Sequence, residues 1–313
     1  MNPEVLIREV GPRDGFQNED LIIPTALKVE YIRTLVAARV RWLEITSFVS
    51  PKWVPQLADA AEVVAAVEDI DVGGTEIVAF VPNLRGLERA AECGVKSVTT
   101  ALTVSDELNR ANFNKDTDQM LEALPAILEA AAAAGVGIEV TIGTAFGDLE
   151  DRPLTVDRVV EVVETVASMG VDSITLGDTV GVGNPARVEE TYRRLQEARP
   201  GVVFGAHFHD TRGLAVANVW GAWRQGVRVF DSSYGGLGGC PFAPGSSGNV
   251  ATETLVYMFE EAGISTGIDL ETLMRVAVDT TTFLEKGLSQ ASRTIAADIA
   301  SQRGWEHGEV GVS

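Results

Sequence analysis

Cysteine is scarce in this chain: Cys93 and Cys240 are the only two among 313 residues, and no Cys-x-x-Cys spacing joins them. A disulfide framework is therefore excluded. Long apolar runs are also missing, since no stretch approaches the roughly 20 residues that a membrane-spanning helix needs. The first ten residues hold Glu4, Arg8 and Glu9 and lack both a basic start and a long apolar core, so they do not read as a secretory signal. Basic residues are outnumbered, with 25 Lys and Arg against 45 Asp and Glu and a formal net charge of −20. Nucleic acid and anionic lipid are approached through clustered Lys and Arg, so neither is an expected partner. A cytoplasmic enzyme fits best. Net charge does not exclude a small anionic substrate, because one local arginine or a metal ion reverses the field inside a pocket.

What is present is an alternating α/β pattern. Short apolar runs at 6–10, 42–46, 76–81, 97–103, 137–143, 173–176, 202–208 and 227–232 are separated by helix-like segments. Several runs follow a helix that ends in glycine, at Gly94, Gly135, Gly170 and Gly226. Glycine there supplies the left-handed turn that stops a helix before the next strand. Eight such runs without a hairpin signal favour closure into a (β/α)8 TIM barrel over an open sheet. Residues 1–301 read as one domain, with added C-terminal helices from about 255 (255–262 and 270–299) and a polar tail at 302–313.

The mouth of such a barrel is built from the C-terminal ends of its strands, and here those ends are polar. The first strand runs into Arg13, Asp14 and Gln17, the second contains Glu44, the sixth ends at Asp178 and Thr179, and the seventh ends in His207-Phe208-His209-Asp210. A spacing of two on a strand points both imidazoles to one side. With a carboxylate from another strand they make a mixed N and O site acceptable to Mg²⁺, Mn²⁺ or Zn²⁺; two hydrogen-bonded histidines at a barrel rim are the alternative, and both readings stand at this point. Arg13 beside Asp14 couples a metal-binding carboxylate to a guanidinium able to stabilise an oxyanion. Glu44 and Asp178, inside apolar strands, need partners if buried, so they orient the site, transfer protons or pair with an arginine. Cys240 follows the glycines at 235, 236, 238 and 239, which suggests a lid carrying a thiol, whereas Cys93 reads as packing. Trp53, Trp220 and Trp223 read as core or interface.

Taken together, these stretches resemble the 3-hydroxy-3-methylglutaryl-CoA lyase family, within the wider group of metal-dependent TIM-barrel lyases and Claisen synthases. The resemblance is carried by Gly11-Pro12-Arg13-Asp14-Gly15-Phe16-Gln17-Asn18-Glu19, by Glu44-Ile45-Thr46-Ser47 running on to Gln56, by Leu176-Gly177-Asp178-Thr179-Val180-Gly181, by His207-Phe208-His209-Asp210-Thr211, and by the segment 231–253 containing Cys240, Gly248 and Asn249. It implies Asp14, His207, His209 and Asn249 as ligands of a divalent metal, Mg²⁺ or Mn²⁺. Arg13, Cys240, His207, Glu44 and Asp178 become catalytic or supporting residues, and Arg13, Gln17, Thr179 and Arg212 contact substrate. The implied reaction is a retro-Claisen cleavage of an acyl-CoA to acetyl-CoA and acetoacetate, as in leucine degradation and ketone-body formation, by a homodimer or higher homo-oligomer.

Three departures fall at the mouth. Asp20 stands where family members usually have lysine, Arg212 where an aromatic is common, and the segment 143–150 lacks a usual cysteine and proline. None touches the implied metal set. The substrate implied by the resemblance is accordingly 3-hydroxy-3-methylglutaryl-CoA or a close relative. A Claisen-type synthase joining acetyl-CoA to a 2-oxo acid is the second reading, opposed by the glycine-cysteine loop, which is the lyase feature. A non-catalytic binding barrel is the third, disfavoured because the metal and proton-transfer residues are all present.

Overall fold

Eight parallel strands close on themselves in the computed structural model, which describes residues 4–148, 154–238 and 248–303, with residues 302 and 303 described by their backbone alone. They are β1 (Leu6–Glu9), β2 (Trp42–Ser47), β3 (Glu76–Phe80), β4 (Ser97–Thr103), β5 (Gly137–Gly143), β6 (Ser173–Asp178), β7 (Val203–Phe208) and β8 (Val229–Ser232). Each strand pairs with the next, and β8 returns to β1, aligning Arg8 with Asp231 and Glu9 with Ser232. All eight apolar runs in the sequence fall on these strands.

The outer ring is α1 (Thr25–Ala37), α2 (Ala60–Glu68), α3 (Leu84–Glu92), α4 (Asp106–Phe113) with α5 (Thr117–Ala134), α6 (Val156–Ser168), α7 (Pro185–Ala198), α8 (Ala215–Arg224) and α9 (Thr252–Glu261). Gly94, Gly135, Gly170 and Gly226 all have positive φ between 65° and 90°, the left-handed conformation their sequence context requires. No helix among the described residues is long and apolar enough to cross a membrane.

Two boundaries differ from the sequence reading. The helix expected from about 255 is α9, and it takes the eighth place in the outer ring rather than adding to it. The single helix expected at 270–299 is two, α10 (Leu270–Phe283) and α11 (Gln290–Arg303). Glu285 adopts φ 54°, its N–H reaches Thr282 O at 3.1 Å, and the Lys286 N–H reaches Thr281 O at 2.8 Å. That is a Schellman turn with a non-glycine residue at its left-handed position, a signal that composition does not reveal. Trp53 is not core: it is 85% exposed. Trp220 stacks on Trp223 with ring centroids 4.7 Å apart, and Cys93 packs half-buried against the core.

Alternation along the strands separates two environments. Outward residues such as Ile7, Leu43, Ala79, Val140, Ile174, Phe204 and Phe230 meet the helices and form the main core. Inside, the apolar cluster is small, with Leu6 packed against Val10, Trp42 and Val78. Polar side chains line much of the rest of the lumen. Near its base, Arg8 pairs with Glu139 at 2.6 Å, donates to Thr175 Oγ1 at 3.3 Å and lies over the Trp42 ring.

A buried carboxylate anchors the mouth from outside. Glu9 ends β1 and accepts from Gly11 N at 2.7 Å, Tyr234 N at 3.1 Å and Thr252 Oγ1 at 2.6 Å, tying three chain segments together. Gly11 is obligatory there, because a Cβ would come within 2.7 Å of Glu9 Oε1 and the Tyr234 ring. Burial pushes the Glu9 pKa up from 4.5 to about 8, against the pull of those three donors. The folded state therefore binds a proton that the unfolded chain releases. Stability from this group is fully present below pH 4.5 and is lost as pH rises through about 8. A glutamine suits the neutral form, with its oxygen accepting from the two N–H groups and its amide facing Thr252. Urea unfolding across that window is expected to show the wild type losing about 1.4 kcal/mol per pH unit relative to Glu9→Gln. Parallel pH profiles for the two proteins would remove Glu9 as the source.

Candidate active site

The first loop at the mouth begins with one turn of π-helix, Gly11–Gly15. Val10 O accepts from Arg13 N, Asp14 N and Gly15 N at 3.1, 2.7 and 3.3 Å, and the Phe16 N–H reaches Gly11 O at 3.0 Å. The wide turn presents Arg13 and Asp14 together over the lumen. The Arg13 guanidinium donates through Nε to Glu44 Oε2 and through Nη1 to Asp14 Oδ1, the second at 2.6 Å, and its charge lies 4.9 Å from the centre of the Phe80 ring. Glu44 also accepts from Thr99 Oγ1 on β4. For Glu44, where the sequence favours orientation or proton transfer over pairing with an arginine, the contacts display the arginine pair.

His207 is the penultimate residue of β7 and His209 follows the strand, with their ring centroids 5.2 Å apart. Asp14, His207 and His209 each bring a ligand atom to one place, all within 4.8 Å of one another. Asn249 arrives because 248–251 lies across the ends of β7 and β8. Val250 N bonds Phe208 O at 3.1 Å, Asp210 N bonds Gly248 O at 2.7 Å, and Ser233 N bonds Val250 O at 3.0 Å. Asn249 then donates from Nδ2 to Asp14 Oδ2 at 2.7 Å and to Leu237 O at 3.1 Å.

The donor set fits a divalent metal by a test independent of the cluster itself. Asn249 Oδ1 and His209 Nδ1 are both buried without a hydrogen-bond partner. Buried polar atoms are ordinarily satisfied, so an unsatisfied oxygen and an unsatisfied imidazole nitrogen beside a carboxylate mark a place for a cation. Protonation agrees. Burial raises Asp14, but Arg13, His207 and His209 outweigh it and bring its pKa down to about 2. Burial and the neighbouring His207 bring His209 down to about 4, keeping it neutral. Burial also lowers His207, yet Asp231, with an oxygen 3.3 Å from Nδ1, and Asp14 leave its pKa above the ordinary value.

The remaining residues singled out in the sequence lie around this centre. Gln17 donates to Asp14 Oδ1 at 3.2 Å. Buried Asp178 accepts from Val182 N and Gly183 N at 3.0 Å and so shapes the loop after β6; burial raises its pKa against those donors. Thr179 Oγ1 accepts from Thr144 N at 3.0 Å. Arg212 is exposed and donates to Val180 O and Gly181 O at 2.9 and 2.8 Å, and Asp20 is exposed on the first loop. Cys240 and part of the 143–150 segment lie outside the described residues. Sequence reasoning did not single out Thr99, Glu9 or Asp231. For Asp231 a signal was available: Phe230 must face the core, so alternation turns the acid after it into the lumen.

Comparison with known proteins agrees with this geometry. Residues 4–279 match the HMGL-like family model. A hydroxymethylglutaryl-CoA lyase of Bacillus subtilis is 42% identical over 274 residues, 88% of this chain and 91% of that protein. The crystal structure of the Bacillus subtilis HMG-CoA lyase superimposes with a TM-score of 0.89 at 40% identity, covering 94% of this chain and 98% of that one. An HMG-CoA lyase from Acinetobacter baumannii, solved in complex with coenzyme A and 3-methylmalate, gives a TM-score of 0.85 at 34% identity over 97% of this chain and 96% of that one. Such likeness spans the whole barrel and the loops that carry its polar mouth, and it makes this chain an enzyme of the HMGL-like family, akin to the hydroxymethylglutaryl-CoA lyases.

Proposed function

We propose that the protein cleaves 3-hydroxy-3-methylglutaryl-CoA, or a closely related 3-hydroxyacyl-CoA, to acetyl-CoA and acetoacetate or the corresponding oxo acid. The observation that carries this reading is the convergence of Asp14, His207 and His209 beside Arg13. Asp14, His207, His209 and Asn249 would hold Mg²⁺ or Mn²⁺, which lowers the pKa of a substrate hydroxyl and draws negative charge toward its oxygens.

The reaction removes the proton of the tertiary hydroxyl. As that oxygen becomes a carbonyl, the electrons of the C2–C3 bond pass to the departing acetyl thioester, whose enolate then takes up a proton. Arg13 suits the thioester end of this rearrangement. Its Nε and Nη1 are engaged by Glu44 and Asp14, so the fork is fixed and Nη2 is left for a substrate oxygen. Fixing the donor beforehand avoids reorganisation when the enolate charge develops. Cys240 acts as acid or base by family resemblance, with Glu44 and Asp178 supporting the mouth. Gln17, Thr179 and Arg212 would contact substrate by the same resemblance; Arg212, held at the loop after β6 by two carbonyls, would offer its charge to an anionic part of the substrate.

A panel of 3-hydroxyacyl-CoA thioesters, assayed for acetyl-CoA and oxo-acid release with Mg²⁺ and Mn²⁺, tests the assignment. The 3-hydroxy-3-methylglutaryl thioester or a near analogue should turn over, and no release from any member would refute the lyase. Arg13→Met is expected to lower kcat about 10³-fold. Mn²⁺ binding should persist, because Asp14 retains Gln17 and Asn249 as partners. A near-normal rate would take Arg13 out of the mechanism. Cys240→Ala should slow turnover about 10²-fold with an unchanged Tm, and an unaltered rate would end the acid-base role of that thiol.

A further inference from the structure

Asp231 is buried on β8 between two outward residues, Phe230, which packs on Phe259, and Ser232, which bonds Thr252. Its side chain therefore enters the lumen, where Oδ2 lies 3.3 Å from His207 Nδ1. An imidazole can offer a cation either nitrogen, and a carboxylate against one nitrogen fixes the N–H there and turns the other lone pair outward. We propose that Asp231 is the positioning residue of His207, holding Nδ1–H and committing Nε2 to the metal. The assignment rests on the metal reading of Asp14, His207 and His209.

The two histidines are then fixed by different partners. His209 bonds the main chain of Thr179, and its Nδ1 is the buried atom without a partner. Asp231 in turn sits in a lumen that supplies an opposite charge. Its register partner on β1 is Arg8, whose Nη2 and Nη1 are taken by Glu139 and Thr175 and whose Nε is buried without a partner, as is Asp231 Oδ1. A carboxylate whose second oxygen has no side-chain donor is held by its strand and by the histidine it faces, which suits it to orient a ring rather than to knit the fold.

The chain has three histidines, His207, His209 and His307, so long-range ¹H–¹⁵N spectra of the whole protein can be read ring by ring. With and without Mg²⁺, His207 should carry its proton on Nδ1. Titration with Mn²⁺ should give an affinity about 10–100-fold lower for Asp231→Ala. Asp231→Asn keeps an oxygen that can accept from Nδ1–H and should lose less. A His207 protonated on Nε2 in the wild type, or folded variants with unchanged Mn²⁺ affinity, would overturn the positioning role while leaving the metal site intact. A wild-type protein that binds no Mn²⁺ would instead overturn the metal reading, and this assignment with it. If Asp231→Ala does not fold, the wild-type tautomer and the Asn variant decide between the same outcomes.

Discussion

The mouth of this barrel depends on one guanidinium holding two carboxylates. Asp14 comes from the loop after β1 and Glu44 from β2, and each is costly to remove from water as an anion. Arg13 stands between them, and the three side chains form a unit that none could form as a pair. Glu44 is the more deeply buried of the two, and Thr99 supplies it a second donor from β4, two strands away. Asp14 keeps its outer face for Asn249 and Gln17. The arrangement separates duties within a motif of two adjacent residues: one arm of Arg13 is anchored downward, and the carboxylate beside it stays ionised and turned toward the histidines.

The architecture was legible in the sequence because barrel strands advertise themselves twice, by an apolar run and by the glycine that ends the preceding helix. The polar ends of strands one, two, six and seven were legible for the same reason, since charge within an apolar run has few innocent explanations. The break between α10 and α11 was not legible, because Glu285 adopts a conformation its residue type rarely takes and the turn is closed by main-chain bonds that no composition encodes. Asn249 shows the other limit. Its position was implied by family resemblance, yet its arrival beside Asp14 depends on main-chain bonds from 248–251 to the ends of two strands, and nothing in the residue types of that segment specifies them.

The lumen explains why a polar site can exist inside a stable barrel. The apolar layer between strands and helices encloses the sheet and supplies the burial, so the inside is free to carry Arg8, Glu139, Glu44, His207 and Asp231. Outside the sheet, Glu9 and Glu253 perform a related task on the backbone. One accepts from Gly11 and Tyr234, the other from Gly235 and Ser292, and together they fix the root of the glycine loop from two sides. Gly238 completes that approach, since a Cβ there would come within 2.6 Å of Asn249 Nδ2.

The turn after α10 gives the C-terminal helices a place at the mouth. Lys286 leaves it and reaches Glu19 at 2.7 Å across 267 residues of sequence, while Thr280 on the same helix bonds the Tyr234 hydroxyl at 3.4 Å. The helix thus acts as a ruler laid between the root of one loop and the rim of another. Its length sets a phase as well as a distance, because each residue added or removed rotates everything beyond it by about 100°. Sequence drift is tolerable along its exposed face, whereas a change of length would swing Lys286 away from the first loop, so the number of residues between Tyr234's partner and that lysine is itself under structural constraint.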